Sequence, residues 1–235
     1  MRQIIQSILF AILLTAFVFV LSPSATIASS LFTNNHLSVH HNLPNACLKF
    51  IGDSFITDSI RNATNTFPTL AEFASSLGYT DPGTIIGVYV CRVLALRVIQ
   101  QPQDDPVYVS TEWETATQFR LASDYGTLGL LAHNDRAGAR FFDLMIGHEV
   151  DVVYGDGAIR RYVVSSVRHF QPVESDNPYS SFYDLDYSSD PVSSTQVFQH
   201  FFASGDQVVF QTCISANGSP TWGRLFVIAT PISLN

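Results

Sequence analysis

Short apolar and β-branched runs, separated by stretches of turn-forming residues, recur along most of the chain and predict strands more often than helices. Gln207 to Thr212 reads as a buried strand that stops at Cys213, and Arg224 opens a second strand, Leu225 to Ala229, across a loop of Asn217, Gly218, Ser219 and Pro220. Gly129 to Ala132 is a shorter apolar strand with His133 at its end. Val150 to Tyr154 and Ile159 to Phe170 flank Gly155-Asp156-Gly157, a composition that predicts a β-hairpin. Thr84 to Gln100 is a long β-rich stretch, broken by the polar segment Gln101 to Pro106 from a strand at Val107 to Ser110, with which it is expected to pair.

Helical patterning is sparser. Thr69-Leu70-Ala71-Glu72 has the form of a capping box, and Leu70, Phe73 and Leu77 then share a face before Gly78. Thr111 to Ala122 is expected to be a short helix, although Thr115 and Thr117 also suit a strand, and Asp135 to Met145 should be a helix with Phe141, Leu144 and Met145 on its apolar side. The connection from Phe170 to Asp206 is long enough to suggest a functional or mobile segment. It carries Glu174, Asp176, Asp184, Asp186 and Asp190 with Tyr179, Tyr183 and Tyr187, and without a D-x-[DN]-x-[DN]-G loop it reads as a solvated acidic loop rather than a calcium site. The fold class is therefore mainly β with a few short helices.

Composition narrows the function. The 235 residues suffice for one domain with a sizeable core, and 46% hydrophobic with 14% charged residues describes a globular chain. Twenty acidic against 12 basic side chains give a net charge of −8, which removes the electrostatic footprint of a nucleic-acid binder. Arg2 followed by the apolar run Ile8 to Leu21, Pro23 and small residues through Ala28 reads as a signal peptide or an N-terminal membrane anchor over residues 1–28, so the remainder is expected to be exported. Residues 29–46, with His36, His40 and His41, read as a solvated linker rather than a metal site, and residues 47–235 as the domain. Export makes pairing of Cys47 with Cys91 plausible and leaves Cys213 as a thiol; the bland alternative keeps all three reduced.

The chemistry-bearing residues are a thiol, an imidazole and a guanidinium, each placed by the pattern at a strand end. A thiol nucleophile needs a partner to form its thiolate, and acyl transfer needs a donor for the developing oxyanion, which arginine supplies without losing its charge. His148, His169 and His200 do not follow a short apolar strand as His133 does. The order L-L-A-H-N, then V-V-F-Q-T-C, then G-R-L-F-V-I-A resembles the sortase family of cysteine transpeptidases over roughly Gly83 to Pro231. Ala132 stands where that family usually has Gly before its His, and Val209-Phe210-Gln211-Thr212-Cys213 stands for its Thr-Leu-x-Thr-Cys.

That resemblance implies a closed β-barrel with catalytic His133, Cys213 and Arg224, with Thr212, Asn134 and Tyr183 toward the substrate, and with no metal or cofactor. It also implies an exported enzyme at the cell surface or outer face of the membrane. Such an enzyme cleaves an LPxTG-like sorting signal on another exported protein through a thioacyl intermediate and passes the acyl group to an amine. Two other readings compete. An L,D-transpeptidase would place its cysteine in an S-x-G-C type run that Ser215 and Arg224 do not reproduce, and a non-enzymatic adhesion or ligand-binding β module would need none of the three residues.

Overall fold

The computed structural model describes residues 67–175, 177 and 179–232. The export segment, the linker and Cys47 lie outside the described residues. Ten strands form one sheet: β1 (Ile85–Val90), β2 (Leu94–Gln100), β3 (Thr115–Phe119), β4 (Leu128–Leu131), β5 (Glu149–Tyr154), β6 (Ile159–Pro172), β7 (Phe182–Asp184), β8 (Ser188–Val192), β9 (Val208–Ala216) and β10 (Ser219–Pro231). Their order is β10-β9-β4-β3-β2-β1-β5-β6-β7-β8, and the further pairing of β10 with β6 closes eight of them into a barrel, leaving β7 and β8 as an extension from β6. Closure removes the two edges that an open sheet of these eight strands would otherwise present. The expected mainly β, closed-barrel architecture with short helices is what the chain adopts.

Strand alternation divides most of the apolar residues between two cores, beside a smaller cluster of Phe73, Tyr89 and Val153. Val208, Phe210, Leu225, Val227, Leu128 and Leu130 point into the barrel, with Phe141 packing on Phe210 at a ring separation of 5.1 Å. Their outward neighbours Val209, Phe226, Ile228 and Leu131 form a second cluster under α3 (Ser194–Phe202). Phe201 stacks on Phe226 at 4.2 Å, and Phe170 meets both edge-on. The helix starts at a Ser193/Gln196 capping box and buries Val197, Phe198, Phe201 and Phe202, the i, i+1, i+4, i+5 stripe of a surface helix. This element was hidden in what reads, on residue type, as a long acidic connection.

The local expectations fare unevenly. The capping box at Thr69 and Glu72 forms and opens α1 (Leu70–Leu77) before Gly78 at φ 77°. The β5–β6 hairpin also forms, with Gly157 at φ 82° in its turn. Thr84 to Gln100 is instead a hairpin in itself, β1 and β2 turning at Cys91-Arg92-Val93 with Arg92 at φ 59°. Val107 to Ser110 is not a strand. In place of a helix at Thr111, β3 pairs in parallel with β2, and α2 (Arg120–Ser123) follows it. The parallel partner decides, because Thr115 and Thr117 gain a ladder that an isolated stretch does not have. After His133 the chain makes a 3₁₀ helix, Ala137–Asp143, rather than a full α-helix; Phe141 and Leu144 are buried as expected, but Met145 is exposed.

Candidate functional site

The site is built by register across three adjacent strands. In the parallel β4–β9 pair Leu128 matches Val208 and Leu131 matches Gln211, so the chain leaving β4 brings His133 level with Cys213. Ala132 N–H still donates to the Gln211 carbonyl at 3.3 Å, which carries the pairing one residue past the strand. In the antiparallel β9–β10 pair Cys213 lies directly opposite Arg224. Cross-strand partners share a face, and Thr212 and Ile214 turn toward the barrel, so Cys213 and Arg224 lie on the outer face with Gln211 and Phe226.

Neither Cys213 nor Arg224 marks a strand end. β9 runs on to Ala216 and β10 begins at Ser219, joined by a two-residue turn with Asn217 at φ 51° and Gly218 at φ 77°. Positive φ at both central residues is the primed hairpin turn that matches strand twist. The predicted loop at Asn217 to Pro220 is thus the tip of a hairpin that continues past the site. Its register shifts between Ser219 and Gly223, where β10 carries two residues more than β9. Such a bulge re-aims backbone groups. Here it turns the carbonyls of Thr221 and Gly223 onto Arg224 Nη1, at 2.9 and 2.8 Å.

Arg224 is completely buried, while its Nε and Nη2 have no hydrogen-bond partner among the described residues. No carboxylate within ion-pair distance of Arg224 appears among those residues either. Along its row across the sheet come Phe170 and then Asp184, and that carboxylate is bound by Arg168. Cys213 is only 2% exposed and remains a thiol, whereas Cys91 is disulfide-bonded. Half-buried His133 is held through its backbone: its carbonyl accepts from Arg136 N–H at 3.0 Å and Gly138 N–H at 2.9 Å. At Gly138 an added Cβ would lie 2.7 Å from the His133 carbonyl and 2.4 Å from Thr212 Oγ1, so only glycine permits this approach.

The three residues expected toward the substrate are placed differently. Thr212 is buried and its hydroxyl donates to the Ala132 carbonyl at 2.8 Å, which ties β9 to the segment that bears His133. Asn134 spans the same gap from the other side, donating to Ser215 Oγ at 2.7 Å and the Pro220 carbonyl at 3.2 Å. Tyr183 alternates with buried Phe182 and so lies on the opposite face of β7 from the cluster that includes Leu131 and Phe226. It lines an open depression of about 510 Å³ with Gln171, Asp184, Leu185, Asp186 and Tyr187. The structure therefore gathers His133, Asn134, Cys213 and Arg224, turns Thr212 inward as a tie, and leaves Tyr183 apart.

The other histidines have different surroundings. His148 Nδ1 accepts from Met145 N–H at 3.3 Å, and burial lowers its pKa. His169 pairs with Asp186 at 3.1 Å, and His200 packs edge-on against Phe201. Two acidic residues of the long connection, Asp184 and Asp186, are thus committed to Arg168 and His169 rather than standing as a bare cluster. Among the described residues no group of three or more His, Cys, Asp or Glu side chains is arranged to hold a metal ion, and no helix there is long and apolar enough to cross a membrane.

The chain is similar to sortases of known structure. Sortase A of Listeria monocytogenes is 13% identical, over 64% of this chain and 88% of that one, with a TM-score of 0.38. Sortase C1 of Streptococcus agalactiae is 14% identical over 70% and 76%, with a TM-score of 0.41. A Clostridium perfringens sortase D5 transpeptidase is 12% identical over 71% and 90%, with a TM-score of 0.39. No family model matches the sequence, and no curated protein does.

Proposed function

We propose that the protein is an exported cysteine transpeptidase of sortase type, with His133, Cys213 and Arg224 as its catalytic residues. The observation that carries this is the buried guanidinium set opposite a buried thiol, with its Nε and Nη2 lacking a hydrogen-bond partner among the described residues. A cation stripped of water and left without a counter-charge is costly, and it is retained where a ligand supplies the missing acceptors. Acyl transfer supplies one in its oxyanion.

In the proposed reaction the Cys213 thiolate attacks the carbonyl carbon of a peptide bond in a sorting signal of another exported protein. The carbonyl π electrons move onto oxygen, where Arg224 Nε–H and Nη2–H donate to the anion or to neighbouring substrate carbonyls. Collapse breaks the C–N bond, and the His133 imidazolium protonates the departing amine. A thioester on Cys213 remains. An incoming amine, losing its proton to His133, attacks that thioester, forms the new amide and returns the thiolate; water in its place gives hydrolysis. Thr212 and Asn134 act as positioning residues, because each ties the His133 segment to the β9–β10 hairpin.

The test is incubation of the reduced protein with a mixed library of LPxTG-like peptides, followed by mass spectrometry of the intact chain. A thioester adduct on Cys213 that a small amine discharges is expected, and it should be absent from Cys213→Ala. Absence of any adduct on folded, reduced protein would overturn the assignment in favour of a binding module, whose ligand affinity alkylation of Cys213 would leave unchanged.

A further inference from the structure

A second unsatisfied donor lies beside the thiol. Gln211 is two residues before Cys213 on the same face of β9, is 2% exposed, and has a buried Nε2 without a hydrogen-bond partner among the described residues. Its register neighbours explain why: Leu131 on β4 and Phe226 on β10 flank it, both buried and both apolar, and neither side chain offers an acceptor. A buried amide N–H left in this state costs free energy that a leucine or methionine in the same space would not. With Nε and Nη2 of Arg224, three donor nitrogens without a partner among the described residues therefore share the face of Cys213.

We infer that Gln211 is a specificity-determining residue that selects a peptide with a hydrogen-bond-accepting side chain about two residues from the bond that is cleaved. The inference rests on the transfer chemistry proposed at Cys213. Same-face positions on a strand are about 6.6 Å apart, the repeat at which an extended peptide turns alternate side chains to one side. A peptide with its reacting carbonyl at Cys213 and Arg224 therefore brings a neighbouring side chain toward Gln211, and because Leu131 and Phe226 beside it pack under α3 it reaches the amide only by displacing part of that cover. An Asn, Asp, Gln, Ser or Thr there supplies the acceptor that Leu131 and Phe226 do not; an aliphatic one leaves the donor orphaned and desolvated. Sites with a buried donor to satisfy discriminate against analogues lacking the acceptor far more sharply than apolar pockets discriminate by size.

The experiment compares wild type with Gln211→Leu and with Gln211→Met, which keeps the side-chain length and removes the donor. Both are assayed for thioester formation on a peptide library randomised at the two positions on either side of the cleaved bond. Wild type should prefer acceptor side chains at one of these positions by about tenfold or more in kcat/KM, while both variants lose that preference and gain on aliphatic peptides. The variants should unfold at the same or a higher temperature than wild type, which a purely structural role for the amide would not give. Equal preferences in wild type and variants overturn the inference and leave the transferase reading standing; no adduct on wild type with any peptide overturns both.

Discussion

Replacing Arg224 should separate stability from activity. Arg224→Met removes two hydrogen bonds from a charged donor to the Thr221 and Gly223 carbonyls, each contributing about 1.5–3 kcal/mol. It also removes a fully buried charge, whose effective desolvation cost is on the order of several kcal/mol, and two donor nitrogens without a partner among the described residues, at about 1–3 kcal/mol each. The opposing contributions are of similar size. Arg224→Met should therefore unfold in urea within about 2 kcal/mol of wild type, or above it, when followed by tryptophan fluorescence. Thioester formation should fall by about 10²–10³-fold, the usual cost of losing an oxyanion donor. Arg224→Lys, which keeps the charge but not the planar fork, should fail to restore the rate. A loss of more than about 4 kcal/mol in Arg224→Met would refute the reasoning, because it would make the guanidinium a satisfied structural ion rather than a waiting donor.

Three further outcomes follow from the packing. Gly138→Ala places a methyl 2.4 Å from Thr212 Oγ1 and 2.7 Å from the Ala132 and His133 carbonyls, so the backbone must shift; Tm should fall and thioester formation should fall with it, more than in an equally destabilised variant elsewhere. Ser193→Ala removes one side of the α3 capping box and should cost about 0.5–2 kcal/mol of unfolding free energy with thioester kinetics unchanged. Burial holds the His148 imidazole below its ordinary pKa, so unfolding takes up a proton as the pH drops. That stabilising contribution is fully present above the unfolded value of about 6.5 and is lost as pH falls through it toward the folded value; His148→Asn should flatten the slope of Tm against pH in that window.

What could be read in advance depended on how local the cause was. Gly155-Asp156-Gly157 and Thr69-Glu72 act within a few residues, and both formed as their chemistry requires. The turn between β1 and β2 has neither Gly nor Pro, so Arg92 at positive φ gives no warning in residue type. β3 owes its conformation to β2, and the bulge beneath Arg224 exists only once β9 and β10 are in register. The Ser193-x-x-Gln196 box and the Phe stripe after it act within a few residues, but they lie in a connection whose acidic residues suggest a solvated loop. His133, Cys213 and Arg224 are legible as candidates by type and order, and register across β4, β9 and β10 brings their positions level. Gln211 has no such signal, because only pairing reveals which face a strand residue takes and that its neighbours there are apolar.

Closure is also what keeps the proposed chemistry in one place. β4 reaches β9 across about 80 residues of sequence, and that parallel pair has only four matched positions, Leu128 to Leu131, with His133 beyond the last of them. A short pair is weakly anchored against slippage unless its ends are tied. Thr212 to the Ala132 carbonyl and Asn134 to Ser215 and Pro220 provide ties on both sides of His133, and each joins the His133 segment to β9 or its turn into β10. A one-residue slip of β4 would shift His133 out of level with Cys213 and Arg224 and undo the proposed site. Two side chains without a reacting atom of their own thus hold the His133 segment level with Cys213, so conservative loss at Thr212 or Asn134 is expected to lower thioester formation, in the proposed reaction, more than stability.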